Sequence, residues 1–171
     1  MSTCVGACVI AGNDFDPAPD YGPAQSKVHT MTDDLQSYTI DPELQPEERE
    51  DICELLTASG LDYEIGVEAF VVFRRGQRLV ACAGLEKNVV KCTAIDPELR
   101  GEALGLKLLT EVVHLAHERG HSHLFLYTKP ENVEFFRSCG FYPIAEVPGY
   151  VTLMENTPIG VSTYCQELKR L

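Results

Sequence analysis

The sequence predicts a single α/β domain: a mixed central sheet of six to seven strands flanked by helices. Three observations carry this. Three apolar, β-branched-rich runs between residues 69 and 95 follow one another through short turns, as antiparallel strands do. A helical period from Leu104 to Arg119 then separates the third run from the next strand, which allows a parallel pairing through a right-handed crossover. Finally, 171 residues with 44% apolar content suffice for one sizeable core and leave no room for a second catalytic domain.

Residues 1–34 read as a separate flexible leader, because Gly12, Pro17, Pro19, Gly22 and Pro23 break every helical or strand period. The domain proper is expected over 35–156. It opens with a short strand, Ser37 to Ile40, followed by a helix from Pro46 to Ala58. In that helix Ile52, Leu55 and Leu56 share one face, Glu47, Glu48 and Glu50 favour the positive end of the dipole, and Gly60 is the stop. Strands at Ala69 to Arg74 and Arg78 to Ala83 meet across Arg75-Gly76-Gln77, and Val89 to Ile95 extends the meander up to Asp96-Pro97. The next helix runs through Arg119, with Leu104, Leu108, Leu109, Val112, Val113 and Ala116 as its apolar face and Gly120 closing it. His123 to Thr128 is then a strand, Glu131 to Cys139 a short helix, and Phe141 to Val147 and Tyr150 to Glu155 the last two strands. Residues 157–171 form a C-terminal helix or linker, with helical spacing from Gly160.

Charge narrows the function. Fourteen Lys and Arg against 26 Asp and Glu give a formal charge of −12, which argues against nucleic acid or an anionic membrane as the partner. No apolar run approaches the roughly 20 residues of a membrane helix, and the start lacks the basic residues of a secretory signal, so a cytoplasmic location is expected. Seven cysteines without a C-x-x-C pair read as free thiols, and no metal site is expected. His114 and His117 lack a third ligand and read as exposed helix residues.

Chemistry concentrates at Arg100-Gly101-Glu102-Ala103-Leu104-Gly105. A strand that ends at a turn of small residues and enters a helix makes an anion cradle, because the first backbone amides of the helix point the same way. Tight strand-to-helix packing would ask for the same small residues.

The element order, the R-G-x-A-x-G-x-x-L-L helix and the later N-x-x-F-F-x-x-x-G-F resemble the GNAT acetyltransferase superfamily over about Gln36 to Glu155. The resemblance implies a fold whose central strands splay apart and a loop, R/Q-x-x-G-x-G/A, that binds the pyrophosphate of acetyl-coenzyme A. Arg100 stands at the Arg/Gln, Ala103 at the first Gly and Gly105 at the second, with Gly101, Glu102 and Leu104 in the same loop. Ala103 departs from the pattern, at little cost if its backbone is helical and at more if positive φ is needed. The resemblance further implies that the main chain of Cys92, Thr93, Ala94 and Ile95 contacts the pantetheine arm and thioester, and that Asn132 binds the cofactor or caps a helix. Phe136 stands among the cofactor-contacting positions, where many members carry the Tyr that protonates the departing thiolate. Phe has no proton to give. Glu86 is a weak candidate base, and Glu64, His121 and His123 are further titratable groups nearby.

A more specific likeness lies in Leu126 to Tyr142, with Leu153-Met154-Glu155-Asn156-Thr157-Pro158, which resembles the N-terminal GNAT-like domain of citrate lyase ligases. It implies an acetyl-handling domain acting on a coenzyme-A-like thiol. The ligand is then acetyl-coenzyme A, coenzyme A or the coenzyme-A-like prosthetic group of the citrate lyase acyl carrier subunit, which becomes the implied partner. The H-x-G-H motif of the ligases' second, ATP-using domain is absent from these 171 residues, so no activation of acetate by ATP is expected of them alone. The alternatives are a free-standing N-acetyltransferase for a small amine, or a non-catalytic module that binds coenzyme A or a carrier protein. Nothing selects a monomer over an oligomer.

Overall fold

The computed structural model of the protein describes residues 35–43, 45–99 and 103–156. The leader over 1–34, the tail over 157–171 and the positions Arg100, Gly101 and Glu102 lie outside the described residues. Seven strands form one sheet: β1 (Leu35–Ile40), β2 (Ala69–Arg75), β3 (Arg78–Glu86), β4 (Val89–Ile95), β5 (Phe125–Thr128), β6 (Tyr142–Val147) and β7 (Val151–Glu155). Their spatial order is β1-β2-β3-β4-β5-β7-β6, with β4 and β5 parallel and every other neighbouring pair antiparallel. The mixed sheet expected from the sequence is therefore present, and the crossover between β4 and β5 contains the long helix.

Helix α1 (Pro46–Ala58) buries Ile52, Leu55 and Leu56, and α2 (Leu104–Glu118) buries Leu104, Leu108, Leu109, Val112 and Ala116. These are the faces that the 3.6-residue period marked. The two helices cover opposite faces of the sheet. Phe70, Val72, Cys82, Cys92 and Ala94 pack under α1, while Val71, Ala83, Leu85, Leu126 and Met154 pack with α2, each core closed by alternate residues of the same strands. Gly120 ends α2 at φ +83°, and the His121 amide returns to the Ala116 carbonyl at 2.8 Å, the six-to-one closure that a left-handed residue permits.

An ion cluster ties α1 to the edge of the sheet. Arg74 donates to Tyr38 Oη at 2.7 Å, to Glu48 at 2.8 Å and to Asp51. Burial alone would lower the guanidinium's proton affinity, but these acceptors hold it above the ordinary arginine range.

Two elements are shorter than expected by two residues or more. The strand read from His123 begins at Phe125, because the His123 carbonyl accepts from the Asn88 side chain at 3.3 Å and the Leu124 amide donates to Asn156 Oδ1 at 2.8 Å. Side chains hold backbone groups that a ladder would have used. The helix read as Glu131 to Cys139 is α3 (Val133–Ser138), entered through a 3₁₀ turn at Pro130–Asn132.

Candidate functional site

The site begins where β4 leaves β5. The parallel ladder consists of Val89 opposite Phe125 and Val90 opposite Leu126, although β4 continues to Ile95 and β5 to Thr128. Past Val90 a bulge turns β4. Cys92 has φ +48°, the β3–β4 register shifts opposite Cys82 to Gly84, and Lys91 and Cys92 both fall on the α1 side where strict alternation would separate them. A non-glycine residue in the left-handed region costs on the order of 1–3 kcal/mol and persists only where its surroundings over-determine it. The bulge thus aims Cys92, Thr93, Ala94 and Ile95, all buried, along an edge that β5 no longer follows.

Helix α2 starts beside that edge. Its N-cap residue Ala103 has φ 57° and ψ 12°, no side chain caps it, and its first turn holds no acidic residue. By contrast the first turn of α1 carries Glu47 and Glu48. A helix start with these properties leaves its first amides and the positive end of its dipole without a side-chain acceptor from its own first turn, an environment that favours an anion. Ala103 occupies the conformation in which its departure from glycine is costly, by about 1 kcal/mol. Gly105 serves packing: a Cβ there would lie 2.5 Å from Phe135 Cζ and 2.9 Å from Ile95 Cδ1, so α2 meets β4 and α3 through its missing side chain.

Asn132 closes the group. It ends the 3₁₀ turn after β5, is 2% exposed, and its Nδ2 has no hydrogen-bond partner among the described residues. A buried donor left unsatisfied costs about 1–3 kcal/mol, which a polar ligand arm at this end of the sheet would recover.

A family model described as the acetyltransferase (GNAT) family matches residues 28–141. The chain belongs to this family. Over 120 residues it is 42% identical to the [citrate [pro-3S]-lyase] ligase of Escherichia coli K12 and 46% identical to that of Klebsiella pneumoniae. Each match covers 70% of this chain but only 34% and 35% of the relative, so the chain spans about a third of these proteins' length. Among solved structures, Escherichia coli ElaA superimposes with a TM-score of 0.62 at 19% identity, covering 72% of this chain and 99% of that one. N-acetylglutamate synthase from Neisseria gonorrhoeae, complexed with coenzyme A and L-arginine, superimposes with a TM-score of 0.52 at 18% identity, covering 70% of this chain and 32% of that one. Both likenesses concern the GNAT fold.

Several side chains expected at the GNAT site stand elsewhere. Phe136 has no exposure and packs edge-on against Phe135 and Phe141, at ring distances of 5.1 and 6.3 Å. It is a core residue and offers no surface to a cofactor. Glu86 and Glu64 both bind Lys91 Nζ, at 2.7 and 2.9 Å, so neither carboxylate stands ready as a base. Burial works against the Lys91 charge, yet hydrogen bonds to Glu86 and Glu64 hold its proton affinity above the lysine range. His123 is buried; its Nε2 lies 2.9 Å from Glu155 Oε2 and its ring stacks on Phe125 at 4.5 Å. That pair sits at the start of β5, away from the end where the strands diverge. His114 and His117 are exposed on α2, as expected.

Sequence reasoning missed two groups. The His123–Glu155 pair joins residues 32 apart, which no local period reveals. Lys91, the one charge inside the β4 run, was a visible exception to its apolar pattern and so a usable signal. Among the described residues no cluster of three or more metal-ligating side chains occurs, and no helix is long and apolar enough to cross a membrane. A cleft of about 350 Å³ lies between α1 and the start of β3. Of its lining charges, Asp51 pairs with Arg74 and Asp96 with Arg78 at 2.5 Å, while Glu54 is exposed.

Proposed function

We propose that this chain is the acetyl-handling domain of a citrate-lyase-ligase-type protein, binding acetyl-coenzyme A or a coenzyme-A-like thiol where β4 and β5 diverge. The observation that carries the reading is the two-pair β4–β5 ladder ending beside a helix start with no side-chain cap and no acidic residue in its first turn. On this reading the main chain of Cys92 to Ile95 holds the pantetheine arm, and residues 100–105 at the α2 terminus hold the pyrophosphate. Asn132 Nδ2 gains its missing acceptor. The bound thioester supplies an acyl group activated toward nucleophiles.

The chain's own residues bind and orient. Backbone donors on β4 hold the carbonyl, and the two cores on either side keep water from the arm. Phe136 lies in the core and Glu64 and Glu86 are engaged by Lys91, an arrangement of the described residues that suits exchange with a thiol better than attack by an ammonium group. The acceptor is then the thiol of the prosthetic group on a citrate lyase acyl carrier subunit, met in the cytoplasm. The strongly acidic composition speaks against nucleic acid as a partner.

Calorimetric titration with acetyl-coenzyme A and with dephospho-coenzyme A, followed by thiol-release assays on an amine panel, tests the proposal. Binding of both without amine-dependent release is the expected result. Amine-dependent release would identify an N-acetyltransferase instead, and no binding would reduce the Arg100 to Gly105 loop to a tight turn.

A further inference from the structure

Lys91 and Ala94 of β4 both face α1, although they stand three residues apart, a spacing that strict alternation sends to opposite faces. Lys91 opposes Gly84, where a Cβ would meet Val67 and Phe70 of the α1-side core, and Ala94 lies in that core itself. On the α2 side Val90 and Ile95 are the fixed points. The β4 backbone must therefore take in one extra residue between them. It does so where Cys92 and Thr93 together face Ala83, with Cys92 at φ +48°. Cysteine has no intrinsic preference for the left-handed region, so its neighbours decide where the extra residue sits.

The neighbours that do so converge on Lys91. Its Nζ lies 2.9 Å from Glu64 Oε2 and 2.7 Å from Glu86 Oε2, and all three side chains are partly buried, so solvent screens the attraction less than at an open surface. Glu86 ends β3, and Glu64 stands on the segment between α1 and β2. That segment is pinned at both ends: the Leu61 amide donates to the Leu56 carbonyl and the Glu68 amide to the Leu85 carbonyl, each at 2.9 Å. Between them Gly66, at φ +104°, makes the turn. The same segment brings the Asp62 carbonyl to 3.9 Å from Cys92 Sγ. Lys91 thus joins β3, β4 and residues 61–68 directly beside the bulge.

We infer that Lys91 is a positioning residue for the opening between β4 and β5: clamped by Glu64 and Glu86, it fixes the bulge at Cys92 and with it the point where the β4 main chain turns away from β5. Without the ammonium the two carboxylates repel each other, residues 61–68 loosen from β4, and position 91 loses its hold on the α1 face. The phase before the bulge then rests on the buried Val90, and the extra residue can slide back toward it. The last β4–β5 pair is Val90 with Leu126, so a bulge that slides re-aims everything from Cys92 to Ile95. Coenzyme A binding by these residues rests on the function proposed above; the hold on the bulge does not depend on it.

Amide hydrogen exchange of the full, ligand-free chain, read by mass spectrometry, tests the hold on the bulge. Lys91→Met is expected to quicken exchange over residues 89–96 at least ~10-fold more than over 69–75 of β2. Adding Cys92→Gly, which frees the left-handed region of its steric penalty, is expected to bring 89–96 back to within about 3-fold of the wild type. An equal increase over both strands marks a loss of overall stability alone and would overturn the inference. So would no increase, or an increase that the glycine leaves unchanged. Should Lys91→Met not fold, Glu64→Gln, which leaves Lys91 its Glu86 partner, is expected to quicken 89–96 at least ~3-fold more than 69–75, and an unchanged ratio would overturn it. Calorimetry with acetyl-coenzyme A separates this from the proposed function. Affinity that falls with Lys91→Met and returns with Cys92→Gly supports both, whereas unchanged affinity beside faster exchange breaks the link from bulge to opening. A wild type that binds no acetyl-coenzyme A sinks the coenzyme site, and the exchange result alone then decides the role of Lys91.

Discussion

Along its edge with β3, β4 holds five register pairs that reach from Val89 to Ile95, whereas along its edge with β5 it holds two and stops at Val90. The same strand thus has one closed edge and one that opens. The closed edge is local: β3 and β4 are joined through Lys87 and Asn88 alone, with Lys87 at φ 53°, so pairing propagates from the turn. The other edge brings together segments separated by all of α2. There the bulge at Cys92 turns β4, and the 3₁₀ turn at Pro130 follows two residues after β5 ends. Continuous pairing makes a strand stable and leaves no room for a ligand. Interrupted pairing gives up ladder stability and makes a groove.

The sharpest way to break this contrast is at the point that holds the groove's wall in place. Gly105→Val should force α2 away from Phe135 and Ile95, destabilising the fold by about 3 kcal/mol and lowering the melting temperature by roughly 6–12 °C. Coenzyme A affinity should fall with it. An unchanged melting curve would show that α2 does not depend on this contact.

Asn132→Leu should separate groove from fold. Removing the unpartnered buried amide is expected to raise stability by about 1 kcal/mol while weakening coenzyme A roughly tenfold, measured by urea unfolding and calorimetry. A loss of stability instead would mean that Asn132 is a structural cap.

On the α1 side of the closed edge, Lys91→Met leaves Glu64 and Glu86 facing each other without their cation and should cost about 1 kcal/mol near neutral pH. Folding raises the Lys91 proton affinity, so its contribution is complete below the unfolded lysine value of about 10.4 and is lost only as pH rises through the higher folded value. The gap between the two proteins should hold constant from pH 7 to about 10. A gap that narrows across that range would contradict the assignment.

The smallest effect concerns the cradle. Ala103→Gly relieves the left-handed alanine and should stabilise by about 0.5 kcal/mol after the added chain entropy, read as a rise of one or two degrees in melting temperature. No change, or a fall, would show that the rest of the cradle sets this conformation without strain.

How much was legible differs between the two edges of β4. The hairpin strands, both long helices and their buried faces followed from periods of two and 3.6 and from Gly60, Gly76 and Gly120, since each is a local property. The helix entry at residues 100–105 was legible through its small residues, but their separate roles were not. Gly105 reads in sequence as a phosphate approach and in space as a contact with Phe135, thirty residues on. Phe136 reads as a replaced acid and stands in the core, because an aromatic stripe does not declare which ring faces inward.

The sequence by itself determined the order and kind of the elements, the α1 and α2 core faces and the start of α2. Each depends on neighbours a few residues apart, where hydrophobic period and backbone chemistry act directly. Only the tertiary structure decided that β4 turns at Cys92, that Asn132 is buried with its Nδ2 unpartnered among the described residues, that Lys91 holds both candidate bases, and that His123 meets Glu155 at the start of β5. Those features arise from contacts between segments tens of residues apart, and their energies depend on distances that exist only once the chain has folded.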